Sequence, residues 1–160
     1  MRRLTLLIAL VALFSAVPVV AAAPTDQERD AYREQVEPIC KKNAEANATI
    51  LKGVRRNVRE GKLKKASRQL LTAARALKRT RGQLLAVPKP SEDAARLTKW
   101  LKGVKTEAEM LEAAGRKLAN GERNAAVRMV IRLESNARQT NNLVLDYEFR
   151  HCRFDPGKFL

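Results

Sequence analysis

The chain has 160 residues, a net charge of +15, one histidine and two cysteines, and only 4% of it is aromatic. That is enough for one domain with a real core, and its richness in Ala, Leu, Lys, Arg and Glu is that of a helical bundle. A single histidine excludes di-iron bundles built on two Glu-x-x-His pairs and zinc sites needing several Cys or His ligands, while "HC" at 151–152 is not the C-x-x-C-H of c-type haem attachment.

Arg2 and Arg3 precede an apolar run over residues 4–17, broken only by Thr5 and Ser15 and followed by Pro18 and small residues. The pattern predicts a secretory signal peptide over residues 1–22, cut after Ala22. The alternative is an uncleaved anchor, because residues 4–23 are about long enough to span a bilayer. Either way the chain is expected to be secreted, periplasmic or held at the cell envelope. Outside the cytosol two cysteines read as one disulfide, Cys40 with Cys152. In the chain-entropy model such a bridge constrains the unfolded chain by roughly 4–5 kcal/mol.

Residues 23–37 form an N-terminal extension or the start of the first helix. Its inner face reads Val36, Cys40, Ala44, Asn47, Leu51, Val54 and Val58. Pro38 sits in the first turn, or kinks one continuous helix that starts near Asp26. Asn43 and Asn47 share the Cys40 face, and buried asparagines must find partners. They are expected to bind backbone groups of the later segment "FRHCRFDPGKFL", or else to form a small polar ligand site at that end of the bundle. Asn47-Ala48-Thr49 also matches the N-glycosylation pattern.

The turn "EGK" leads into a second helix with a seam at Leu63, Ala66, Leu70, Ala73, Leu77, Thr80, Leu84 and Val87. Residues 52–81 carry twelve basic residues against Glu60 alone. Arg55, Arg56, Arg59, Lys64, Lys65, Arg68, Arg75, Lys78 and Arg79 form an outward stripe. Outer faces usually mix signs, so this stripe reads either as a solvated face or as a surface for an anionic partner. Phospholipid headgroups or phosphate-bearing wall polymers suit the compartment. Nucleic acid is disfavoured, because no aromatic residue between 52 and 81 offers a stacking platform.

After "VPKPSED", with Ser91 as the expected N-cap, the third seam runs Ala94, Leu97, Leu101, Val104, Ala108, Leu111, Gly115 and Leu118. Trp100 flanks it as a core residue. Glu107 and Glu109, beside Lys105, are expected on a solvated face. "LKGV" at 101–104 repeats 51–54, either from a duplicated hairpin or by chance. "LANGER" ends this helix on a glycine. The fourth seam then runs Ala126, Val130, Leu133, Ala137, Thr140, Val144 and Tyr147, with His151 expected at the helix C-terminus. Asp155-Pro156-Gly157 reads as a turn that returns Phe159 onto Phe154 or the bundle end.

Steps of three and four predict helices packed at about 20°. Short loops make neighbours antiparallel. The expectation is an all-α, up-down-up-down four-helix bundle over residues 38–150, with a tail at 151–160 carrying the second cysteine. This topology sets the start of the first helix beside the end of the fourth, where Cys40 and Cys152 lie. No nucleophile elbow and no glycine-rich phosphate loop occurs in the sequence. A non-enzymatic protein without a cofactor is therefore expected. It either meets an anionic envelope component through the basic stripe, or binds a small molecule or peptide near Asn43 and Asn47. A cavity there would favour the second.

The end motifs "YREQVEPICKKNAEAN" and "YEFRHC" resemble those of a loose group of uncharacterised secreted or membrane-attached helical proteins of actinobacterial type. That group carries an early "ICxxxN"-like element, met here by Ile39, Cys40, Asn43 and Ala44, and a late "YGxxxC"-like element, met by Tyr147 and Cys152. Position 148 is Glu where the pattern often has Gly. The resemblance implies export and the disulfide, and brings no activity.

Overall fold

The three-four spacing of apolar residues becomes helix almost throughout. The computed structural model describes residues 26–159, so the signal peptide expected over residues 1–22 lies outside the described residues. Five α-helices follow one another: α1 Asp26–Ile50, α2 Val54–Arg59, α3 Leu63–Leu85, α4 Ala94–Ala119 and α5 Arg123–Asn142. Two single 3-10 turns, Leu145–Tyr147 and Pro156–Lys158, lie in the segment after α5. There is no strand among the described residues. The protein is an all-helical bundle of four arms, α1 and α2 together making the first.

The first arm starts at Asp26, with Asp26 and Glu28 in its first turn, where negative charge suits the helix dipole. It runs unbroken through Pro38, which lies on an exposed face where the carbonyl left unpaired can meet water. It breaks instead at Gly53, whose φ of 74° is left-handed and open to glycine without strain. The second "LKGV" runs straight through α4. Gly103 serves a different purpose there, because a Cβ on it would fall 2.2 Å from Thr140 Oγ1 of α5. The same four residues therefore break one helix and bring two others together.

Helix α4 is the central element, packed along α3 on one side and α5 on the other, while α1 packs on α3. Helices α1 and α5 share no extensive packing among the described residues. The segment after α5 fills part of the gap between them. The Cys40–Cys152 disulfide ties it to α1 across 112 residues, with Cα atoms 4.9 Å apart. Glu37 Oε1 accepts from the Arg150 backbone N–H at 2.5 Å, Arg55 donates to the Gly157 carbonyl at 2.7 Å, and Asn141 donates to the Phe154 carbonyl at 2.9 Å. Phe149 is buried against Trp100 and Tyr147, at centroid distances of 5.6 and 5.1 Å.

Three expectations are corrected here. Helix α5 ends at Asn142 rather than near Tyr147, because Val144 leaves helical geometry at φ −131°, although Val144 and Tyr147 stay buried. His151 is accordingly an exposed tail residue and not a helix C-terminus. Ser91 does not cap α4, whose cap position is Asp93. The Asp93 carboxylate turns away to accept from Tyr147 Oη at 2.8 Å and to pair with Arg29 at 3.1 Å and Arg96 at 2.7 Å. Burial pushes its carboxyl up, but these three donors outweigh burial and hold it below the usual range. This cluster pins the start of α1 to the start of α4.

No helix among the described residues is long and apolar enough to cross a membrane.

Candidate functional site

Because α4 has neighbours on both flanks, it buries two stripes. The first is the seam of Leu97, Leu101, Ala108 and Gly115. The second runs Trp100, Val104, Glu107, Leu111 and Ala114, again in steps of four and three. Glu107, expected on a solvated face, is thus 1% exposed. Glu109 does point outward and pairs with Lys105 at 3.1 Å.

The first three residues of this second stripe form one wall of a cavity of about 160 Å³. Helix α1 supplies Asn43 and Asn47, α3 supplies Leu77, Thr80 and Leu84, and α4 supplies Trp100, Val104 and Glu107. The segment after α5 closes it, with Cys152, Phe154 and Phe159 among its lining. Exposed Arg150, His151, Arg153, Asp155 and Lys158 also line it, so the cavity reaches the surface on the tail side. The disulfide lies in its wall.

The inner groups are polar and unsatisfied. The Glu107 carboxylate has no donor beyond the nearby Thr140 hydroxyl, and Asn43 Oδ1, Asn47 Oδ1, Asn47 Nδ2 and Trp100 Nε1 have no hydrogen-bond partner among the described residues. The expected bonds from Asn43 and Asn47 to the backbone of the tail are not made by these atoms. Trp100 is 0% exposed and Asn47 is 1% exposed. A buried Asn47 also leaves no room for a glycan in the folded chain. Burial pushes the Glu107 carboxyl up to about 8, and the nearby Thr140 hydroxyl offsets this only in part. An unsatisfied buried polar group costs about 1–3 kcal/mol, against a net stability of roughly 5–15 kcal/mol for a whole domain. Such a cluster calls for an occupant that makes hydrogen bonds.

The basic stripe is a separate surface, and all nine of its residues are exposed. Lys78 pairs with Glu112 at 2.5 Å and Arg75 donates to Thr72 of its own helix. Arg55 is drawn into holding the tail. Lys62, with Arg56 and Arg59 behind it, keeps Glu60 below the usual carboxylate range. Lys64, Lys65, Arg68 and Arg79 form no ion pair among the described residues. Beside the stripe, between α2 and α5, lies an open apolar groove of about 390 Å³ that includes Val58, Leu70, Val130 and Ile131, with Arg55, Arg59 and Arg123 at its edge. Val127 and Ile131 are 47% and 59% exposed there.

Asn43 and Asn47 were legible in the sequence as a polar site through their shared face with Cys40. Trp100 and Glu107 were not. The missed signal was the second three-four stripe, seven residues separating Trp100 from Glu107. Compared with protein-family models, with curated proteins and with solved structures, the chain matches none.

Proposed function

We propose that the protein is an exported binding protein, without turnover chemistry, whose site is the polar cavity beneath the tail. The observation that carries this reading is Glu107, a fully buried carboxyl with no cation beside it and only the Thr140 hydroxyl near it, lining the same cavity as other unsatisfied polar groups. A protein core replaces such a group with an apolar residue at little cost or with a gain, so its presence points to use. An engineered cavity of about 150 Å³ holds a benzene molecule, so this one suits a ligand of roughly six to eight non-hydrogen atoms. The disulfide and the lack of a membrane-long apolar helix among the described residues are compatible with export. A cleaved signal peptide over residues 1–22, and the resemblance of the end motifs to secreted actinobacterial-type proteins, belong to the same proposal.

Trp100 is the only tryptophan of the chain, so its indole N–H gives one resolved reporter inside the site. The oxidised protein is titrated with small amines, amides, carboxylates and amino acids to millimolar concentration. At least one is expected to shift that signal saturably. No shift from any probe would reduce the cavity to a place for structural water.

A second reading rests on the unpaired cations of the stripe and the exposed Val127 and Ile131 beside it. Here the same protein docks on anionic lipid headgroups or wall polymer. Co-sedimentation with anionic vesicles should then collapse between low and high salt, and should be lost on Lys64→Glu with Lys65→Glu and Arg68→Glu. Salt-independent binding, or none at low salt, would remove this reading.

A further inference from the structure

We infer that the cavity takes a small zwitterion, its ammonium group seated against Glu107 and its anionic group held at the mouth by Arg150, Arg153 and Lys158. The inference rests on the cavity being a binding site and adds the class of molecule it takes.

The inner wall is short of donors. With Glu107 ionised, the wall's buried atoms are four acceptor oxygens, from Asn43, Asn47 and Glu107, against two nitrogens, Asn47 Nδ2 and Trp100 Nε1, with the Thr140 hydroxyl the one further donor near the carboxylate. An ammonium group brings three N–H donors and no acceptor, which answers that imbalance. It also supplies the positive charge that a buried carboxylate needs before it can remain ionised. The mouth has the opposite character. Arg150, Arg153 and Lys158 line it with one acid, Asp155, and none of the three forms a side-chain ion pair among the described residues. A simple amine would meet repulsion on entering, and a simple carboxylate or phosphate would meet Glu107 at the far end. A molecule with its positive group leading and its negative group trailing satisfies both ends.

That chemistry is shared by free amino acids and by the phosphoethanolamine headgroup of a lipid. Calorimetry and the Trp100 indole signal are used together on the full oxidised mature chain. The probes are alanine, phosphoethanolamine, ethylamine, propionate, methyl phosphate and propionamide. At least one zwitterion should bind about tenfold or more tightly than ethylamine and than either anion. Glu107→Gln should remove the preference over the two anions, and Arg153→Gln with Lys158→Gln should bring the zwitterion down to the level of ethylamine. Alanine and phosphoethanolamine separate the two sources.

Equal binding of ethylamine and the zwitterions would overturn the inference, as would preference for an anion or for propionamide, while leaving the cavity as a binding site. Failure of all six probes would sink the inference and count against the binding reading too.

Discussion

Glu107 opposes the fold whenever it is charged. Its carboxyl sits at about 8 in the folded chain, against 4.5 for an ordinary glutamate. Between those values the native state holds a proton that the unfolded state has lost, so stability falls as pH rises through this window and the loss is complete above it. Glu107→Gln keeps the shape and removes the titration. At pH 8 the variant is expected to be more stable than the parent by roughly 2–4 kcal/mol, and near pH 4 the two should agree to within about 1 kcal/mol. Urea unfolding at the two pH values measures this, and an equal difference at both would show that the carboxyl is not buried as described. Asp93 works in the other direction. Its carboxyl is held low by its partners, so its contribution is present above its unfolded pKa and fades as pH falls through the folded one. Glu148 is a quieter case. It is the one non-glycine residue with positive φ among the described residues, at 50°. Glu148→Gly should raise stability by about 1 kcal/mol in the same unfolding experiment. Glu148 stood out in the sequence as a departure from a motif. Glu107 did not stand out, because one seam per helix leaves no inward place for it.

At the scale of the element, the periodic signal reports burial and not hydrogen bonding. That is why the helix from Leu63 to Leu85 was readable almost to its ends, while the fourth seam ran past the end of α5 into residues that are buried without being helical. It is also why the two "LKGV" copies looked alike. Only the structure shows that Gly103 sits where α5 presses closest. Thr140 is buried there, and its hydroxyl accepts from Asn136 at 3.3 Å, so it has little freedom to withdraw. Gly103→Ala should therefore cost about 2–3 kcal/mol by overpacking, seen as a lowered denaturation midpoint. Gly103→Ala combined with Thr140→Ser, which removes the methyl but keeps the hydroxyl, should recover only part of that loss. Full tolerance of the alanine would mean that α4 and α5 stand further apart than described.

The outer arms of the molecule meet less closely than their neighbours do, flanking an open groove at one end, and the tail closes part of the space between them at the other. The pairing of Cys40 with Cys152 was legible from cysteine count and topology. The cavity was not, because it depends on how the tail lies over α1, α3 and α4, and no local pattern in "FRHCRFDPGKFL" encodes that path. Replacing both cysteines by alanine should lower stability by about 3–5 kcal/mol while far-ultraviolet circular dichroism keeps its helical form. The Trp100 indole should also become more accessible to quenchers, since Phe149 and Cys152 belong to the segment the bridge secures. Unchanged quenching would show that the aromatic contacts alone hold the tail.

The charge along the arms is as uneven as their packing. Lys52, Arg55, Arg56, Arg59, Lys62, Lys64 and Lys65 gather near the glycine turn between α2 and α3. At the other end of the first arm, where Arg29 meets Asp93, the acids Asp26, Glu28, Asp30 and Glu34 are interleaved with Arg29 and Arg33, and the charges nearly balance. The molecule is therefore an electric dipole laid along its own helices. In the field of a charged surface it experiences a torque, strongest at low salt and felt within about 10 Å at 0.1 M. Against a negative surface it turns its basic end down and its nearly balanced end outward. It then arrives in one orientation rather than many, whatever else it goes on to touch.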